Sequence, residues 1–303
     1  VIVVNFVQSN QKSRLPLKRR RPDSGIRTGI LLNSQIINMD LLITLLYSLP
    51  VYQCLVLAVL LALAGRKGEG PSRMIMALFL VLAAVYFSFN LLYNLRQYYI
   101  ISRIYILILP VILLFIPVLY LYIVSVTTAG FRFRRAFMLH FIPSVLFLLL
   151  NLPFLVITPE ERLSFVSMRF MDQPRSGFVS FLLLVYMAGL YVAWNLQIIG
   201  YTLLIRKRYI AHRRYISDRF SFTENISINW IRALIVTFII FVVVNEMLYL
   251  FGLSQQPGPK IFYNAAMLWI TLFAGYHGLM QKDLGREPEA VAVPPGASPG
   301  EEA

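Results

Sequence analysis

The sequence predicts an all-α integral membrane protein: a bundle of about seven transmembrane helices, N-terminus outside and C-terminus cytoplasmic. Three observations carry this. Between Asp40 and Met280 apolar stretches follow one another, each ended by charge. Each is about 20–25 residues long, enough to cross a hydrocarbon core as a helix. Hydrophobic residues make up 58% of the chain and charged residues only 14%, where soluble domains carry roughly a quarter. A mean hydropathy of +0.68 agrees, and no soluble core needs so many such runs in series.

The spans read as 40–64, 74–95, 104–128, 137–157, 179–205, 230–253 and 261–280. Prolines fall at Pro50, Pro110, Pro117, Pro143 and Pro153. They read as bends, tolerated because neighbouring helices satisfy the freed carbonyls, or as the kinks of a bundle with room for a ligand.

The net charge of +14 resembles a nucleic-acid signal, but its distribution points to topology. One set of loops holds Arg66, Lys67, Arg73, Arg132, Arg134, Arg135, Arg206, Lys207, Arg208, Arg213, Arg214 and Arg219. The alternate set holds Arg96, Arg103, Arg162, Arg169, Arg175 and Lys260, with the acids Glu160, Glu161 and Asp172. The positive-inside rule puts the richer set in the cytoplasm. The expected home is the bacterial inner membrane, crossed many times. Cys54 is the single cysteine, so no intrachain disulfide forms and no Cys/His metal cluster is available.

Three segments follow: 1–38, 39–281 and 282–303. Residues 1–38 carry seven basic residues and one acid, Asp23, which beside the first span would hold that end in the cytoplasm against the other loops. No signal-peptide pattern is present. Met39 directly precedes the first span, so the expectation is a natural start there, with 1–38 disordered upstream sequence. The alternative is a basic tail for anionic lipid or nucleic acid. After Met280 a Pro/Ala/Gly/Glu stretch has little to bury and reads as a disordered tail or linker.

No Walker loop, GxGxxG before a helix, HExxH or GxSxG occurs, and no helix-turn-helix or kinase phosphoacceptor region. Direct nucleic-acid binding, catalysis and a bound cofactor are therefore not expected. Internal repeats are not evident, which weighs against inverted-repeat transport. Polar residues at bilayer depth are costly and mark function. In span six these are Asn245 and Glu246, the one acid at that depth. Asn90 and Asn94 near the end of span two share one helix face. Arg96 lies just beyond them, and Asn264 is early in span seven. Together they read as a pocket open to the outside for an unknown small molecule, or as interhelical hydrogen-bonding glue with Arg96 paired to Glu246.

A second polar set, His140, Gln197 and His277, lies toward the cytoplasmic ends. Two histidines on separate helices are too little for haem without CxxCH, and span seven has no mid-helix lysine for a retinal Schiff base. His140 reads as capping a carbonyl, and Trp230 as an interfacial anchor. The loop 206–229 has a basic half suited to anionic headgroups. In its second half, after Phe220, Ser221 and Glu224 form a capping signature that would start a helix running into span six.

The order PVLYLYIVSVT (117–127), HFIPSVLFLL (140–149), FSFTENISINWIR (220–232) and GYHGLMQ (275–281) resembles the multi-helix membrane sensor domain of bacterial AraC-type transcriptional regulators, mainly of Bacteroidetes-like organisms. Related domains front sensor histidine kinases. The resemblance covers roughly residues 40–281. It rests on Pro117, Leu119, Tyr120, Tyr122, His140, Phe141, Pro143, Phe220, Ser221, Trp230, Gly275, Gly278 and Gln281. It implies that His140, Phe220, Ser221, Glu224, Trp230 and Gln281 frame the cytoplasmic ends where a signal leaves the membrane. Such domains continue into a DNA-binding or kinase effector after the final Gln. Here the expectation is a truncated chain or a separate cytoplasmic effector, and a homodimer is a further possible partner.

The function expected is a non-enzymatic membrane sensory domain. The alternative is a small-molecule transporter or carrier, which needs a continuous polar path; a lipid-modifying enzyme would need more acids than Glu246. The orientation has a direct test. In a Cys54→Ala background an impermeant thiol reagent is expected to label Asp172→Cys in intact cells and to spare Arg134→Cys; the reverse pattern inverts the topology.

Overall fold

The structure is a computed structural model. It describes residues 22–66, 71–128, 130–167, 177–219, 229–253 and 256–281. Among these residues the secondary structure is entirely helical: α1 (Pro22–Ala64), α2 (Pro71–Asn94), α3 (Tyr98–Ile104), α4 (Ile108–Thr127), α5 (Ile142–Asn151), α6 (Pro159–Val166), α7 (Gly177–Met187), α8 (Trp194–Arg219), α9 (Asn229–Leu250) and α10 (Pro257–Met280). Turns of 3-10 helix join α3 to α4 and flank α5, and a π-helical segment, Ala188–Ala193, joins α7 to α8.

Among the described residues five helical stretches are long and apolar enough to cross a membrane: Leu41–Ala64, Pro71–Asn94, Tyr98–Thr127, Arg135–Leu155 and Gly177–Arg214. That is fewer than seven. The apolar part of α9, Asn229–Val244, is shorter. In α10, Lys260, Asn264, Thr271 and His277 dilute an otherwise apolar 24-residue helix.

Several boundaries differ from the sequence reading for local reasons. α1 begins at Pro22, so helical backbone runs from the basic N-terminal segment straight into the first span. Residues 1–21 and 282–303 lie outside the described residues. The basic half of the 206–229 loop is not a loop, because α8 continues to Arg219. The stretch 201–219 has neither Gly nor Pro, and its Arg and Lys are good helix formers. Phe220, Ser221 and Glu224 lie outside the described residues. A capping box does form elsewhere. Thr158 accepts from the Glu161 backbone N–H, and the Glu161 carboxylate accepts from the Thr158 backbone N–H, starting α6. Of the five prolines, only Pro50 and Pro117 sit inside helices. Pro143 and Pro153 occupy first-turn positions, where the missing N–H has no partner to lose.

Cross-helix bonds fix the antiparallel alignment. Asn94 donates to Thr44, Arg73 to the Leu279 carbonyl, and Tyr209 to Asn229. One end of the bundle therefore gathers the close of α1, α4, α8 and α10 with the start of α2 and α9. Arg66, Arg73, Arg132, Arg134, Arg135 and the α8 cations all lie there. Arg96, Arg103, Arg162 and Lys260 lie at the other end; Lys67, Arg169, Asp172 and Arg175 are outside the described residues.

α4 is the axis. From Ile108 to Val126 nearly every residue is buried, against α2, α5, α8 and the π segment. Apolar residues of α1 between Leu41 and Leu63, by contrast, largely face outward, with Tyr52 67% exposed and Val56 58% exposed, as a lipid-facing helix requires. One core cluster joins α1, α2, α4, α8, α9 and α10 and includes the fully buried Leu61, Met76, Leu80, Tyr122 and Ile123. A second lies at the end opposite the basic loops. There the Tyr105 ring packs at 5.0–5.6 Å from Phe154, Phe165 and Tyr186.

α2 ends in a Schellman motif. Gln97 N–H reaches the Leu92 carbonyl and Arg96 N–H the Tyr93 carbonyl, with Arg96 in the left-handed region at φ 57°. α10 lies close to α1 because Gly275 has no side chain: a Cβ there would stand 2.6 Å from Leu57 Cδ1. Inside a bilayer such close backbone approach supplies the packing that apolar surface alone cannot. Gly275→Val is therefore expected to destabilise the bundle by about 1–3 kcal/mol through overpacking, read as a lower midpoint in denaturing-detergent titration, whereas Tyr276→Val, on the exposed face, should leave it near the parent.

Candidate functional site

Of the residues expected to form a polar pocket, Asn90, Asn94 and Asn264 hydrogen-bond to separate partners. Asn90 Nδ2 donates to the Tyr86 carbonyl of its own helix at 3.0 Å, while Asn94 ties α2 to Thr44 of α1. Asn264 is buried and donates to the Lys260 carbonyl of its own helix at 2.8 Å. Arg96 is exposed at the α2 terminus. Asn94 thus acts as glue between α1 and α2. Asn245 and Glu246 lie on α9, but their side chains are outside the described residues.

The motif residues at the basic end are better connected. Trp230, at the start of α9, is 9% exposed, too buried for an interfacial anchor. Its indole Nε1 donates to Gln281 Oε1 at 2.8 Å, and its ring stacks on His277 at 5.0 Å with an 8° interplanar angle. The Tyr122 ring of α4 lies 6.0 Å away. One turn beyond, Arg73 of α2 donates to the Leu279 carbonyl. The start of α9 is thereby latched to the end of α10, and α10 to the start of α2. His140 does not cap a carbonyl. Its Nδ1 is hydrogen-bonded to the Tyr201 hydroxyl of α8 at 2.8 Å, beneath the Tyr120 ring. Gln197 sits one helical turn from Tyr201, with both amide atoms buried and unpartnered among the described residues.

A space lies between these regions. A cavity of about 360 Å³ is enclosed by α2, α4, α8, α9 and α10 and by residues of the π segment. Its volume falls within the range of small-molecule sites, about 300–1,000 Å³. The wall is almost wholly apolar: Phe79 and Ala83 from α2, Phe115 and Leu119 from α4, Leu234 and Phe238 from α9, Met267 and Ile270 from α10. Among the described lining residues there is no Asp, Glu, Lys, Arg or His. The polar groups are the hydroxyls of Tyr86, Tyr186, Tyr191, Tyr263, Thr202 and Thr271, the Trp194 indole and Asn195.

At its end away from the basic loops the Tyr86 and Tyr263 hydroxyls share a 3.1 Å hydrogen bond across α2 and α10, and the Phe241 ring of α9 packs on Tyr263 at 5.4 Å. Toward the basic end lies the packed layer of Leu61, Met76, Tyr122, Ile123 and Ile231. The side between α8 and α9 is different. α8 packs on α4 and α9 packs on α10, while α8 and α9 make few or no contacts with each other. There Tyr191, Asn195 and Ile239 are both lining and exposed.

The π segment shapes this wall. π-bulges concentrate at functional sites, and Tyr191 of this one, with Trp194 and Asn195 just after it, borders the space. Gly189 makes it possible: a Cβ there would stand 2.3 Å from Leu109 Cδ2. None of the lining polar groups was singled out from sequence as a site residue, because a lone Tyr or Thr in an apolar run carries no chemical signature. The available hint was Gly189 near the middle of the fifth apolar run.

No family model matches the chain, and no curated protein or solved structure matches it.

Gln197 offers a test of the polar layer beside the cavity. An unpartnered buried amide costs about 1–3 kcal/mol per lost bond, so Gln197→Leu is expected to raise the thermal midpoint in detergent, while Tyr201→Phe lowers it by the loss of one bond, about 1 kcal/mol. A lower midpoint for Gln197→Leu would mean that the amide is bonded to something other than the described protein groups.

Proposed function

We propose that this chain is a membrane-embedded sensory module, a seven-helix bundle with α9 and α10 as its last two spans, N-terminus outside and basic end cytoplasmic, in a bacterial inner membrane. Its mechanism is a ligand-biased shift between two packings of α8, α9 and α10, read out at the basic end by a cytoplasmic effector of the AraC-regulator or kinase type. The single observation that carries this reading is the cavity's position. Its α9 and α10 walls lead within two or three turns to the Trp230–His277–Gln281 latch. A ligand that changes how α9 packs against α10 acts on both ends of the same rigid rods.

A carrier is favoured less. Transport needs a polar route through the bundle, whereas the layer between cavity and basic end consists of fully buried Leu61, Met76, Tyr122 and Ile123.

The test uses the full chain in lipid nanodiscs with Cys54→Ala and spin labels at Arg214→Cys and Met280→Cys. Two distance populations are expected. Their ratio should change when the cavity is filled by Ile235→Trp and when the latch is broken by Gln281→Ala. One unchanging distance in all three proteins rejects the sensory reading.

A further inference from the structure

We infer that the cavity takes a neutral single-chain amphiphile, entering sideways from the bilayer between α8 and α9, with its hydrogen-bonding head at the Tyr86–Tyr263 pair and its chain directed toward the Trp230 end. The inference rests on the sensory reading for its consequence, but not for its chemistry.

The charge of the ligand follows from the wall. Among the described residues no ionisable side chain other than tyrosine lines the space. A charged head buried there would have no counter-charge among the described lining residues, and an unpaired buried charge is far costlier than an unpaired hydroxyl. A neutral head needs only a donor or an acceptor. The tyrosine pair supplies both. Each hydroxyl can donate one bond and accept others, and the 3.1 Å bond between them uses only one donor. Both tyrosines line the space, whose wall is otherwise mostly hydrocarbon, so the second proton and the remaining lone pairs are left to serve a ligand. A ligand hydroxyl or carbonyl added there completes a short chain of bonds.

The shape follows from the helices. The tyrosine pair is at the outer limit of the cavity, and Leu119, Ile205, Leu234 and Ala274 form its inner limit. The lining thus grades from the tyrosine hydroxyls at one limit to hydrocarbon at the other, with the Thr202 and Thr271 hydroxyls less than a turn short of the inner limit. That gradient suits one hydrocarbon chain beneath one small head, and the volume of about 360 Å³ suits a single chain better than a two-chain phospholipid.

The route follows from the packing. The basic end is closed by the buried layer around Tyr122 and Ile231, and the α3–α7 side of the opposite end by the Tyr105, Phe154, Phe165 and Tyr186 rings. Between α8 and α9 the rods separate, and Ile239, 37% exposed, lies at the edge. This gap is at the depth of the apolar windows of both helices, so it faces lipid tails. A molecule dissolved in the bilayer reaches it without crossing water.

The experiment is photolabelling of the full chain in nanodiscs with three diazirine probes of equal chain length: a fatty alcohol, an alkane and a carboxylate held at pH 8. The alcohol is expected to label the 191–205 and 234–242 peptides saturably, the carboxylate weakly. Thr202→Phe and Ile235→Trp, which fill existing space, should abolish saturable labelling while the protein keeps its elution profile. Tyr86→Phe with Tyr263→Phe should weaken competition by unlabelled alcohol about fivefold to tenfold, the loss of one or two net hydrogen bonds, and leave alkane competition unchanged. Labelling that spreads over outward faces of α1 and survives Ile235→Trp overturns the proposal. Preferential labelling by the carboxylate also overturns it. The spin-label distances separate this result from the sensory reading: saturable alcohol labelling with a fixed distance keeps the ligand and removes the sensor, and a shifting distance without labelling does the reverse.

Discussion

Everything in this bundle depends on the burial of α4. A helix in lipid satisfies its own backbone, so it has no intrinsic reason to sit among others; apolar side chains gain nothing by leaving hydrocarbon for protein. What holds α4 in place is fit. Its residues from Ile108 to Val126 are surrounded by α2, α5, α8 and the π segment, and a small number of bonds cross the contact, such as Ser144 Oγ to the Pro110 carbonyl at 2.8 Å. Where the fit is tight the bundle is rigid. Where it fails, between α8 and α9, a cavity is left. The cavity is the complement of the packing around α4 and not a separate invention.

The two ends of α4 are closed in different ways. At the end away from the basic loops aromatic rings supply closure: Phe165 stands edge-on to Tyr105 and Phe154, an arrangement aromatic quadrupoles favour, while Phe154 and Tyr186 lie tilted against Tyr105. At the basic end closure is polar and directional: Trp230 to Gln281, and Arg73 to the Leu279 carbonyl. A ring cluster tolerates small displacements. A hydrogen bond at 2.8 Å with a stacked imidazole beside it does not, and breaks outright when its partners slide. The end that would report to a cytoplasmic effector is thus the end built from contacts that are either made or lost.

The helical membrane architecture was legible in the sequence because hydropathy and charge act over whole segments. Five of the apolar runs emerge as spanning helices by length and composition, and the basic loops collect at one end. The candidate site was much less legible. Charge and amide side chains drew attention to Asn90, Asn94 and Asn264, yet their bonds go to the local backbone or to neighbouring helices. The cavity is defined by where helices fail to touch, and no single residue encodes a gap. Trp230 and Gln281 were marked through the resemblance and prove to be partners, a pairing 51 residues apart that periodicity does not reveal. The Thr158–Glu161 capping box was readable by the same rule that drew attention to Ser221 and Glu224; it was missed because the search followed the apolar runs.

The π segment unites these points. A regular α-helix from Gly177 to Arg214 would place its side chains in a fixed spiral, each facing its neighbours by period alone. Widening the turn at Ala188–Ala193 shifts the register of everything that follows. Gly189 can then press against Leu109 of α4 while Tyr191, Trp194 and Asn195 border the gap. Beyond the bulge the shifted face brings Tyr201 to His140 and carries the rod on to the basic α8 extension. The same local widening that opens the wall of the cavity therefore sets the angle of the helix leading to the basic end. Geometry at the cavity and geometry at that end are two readings of one backbone distortion.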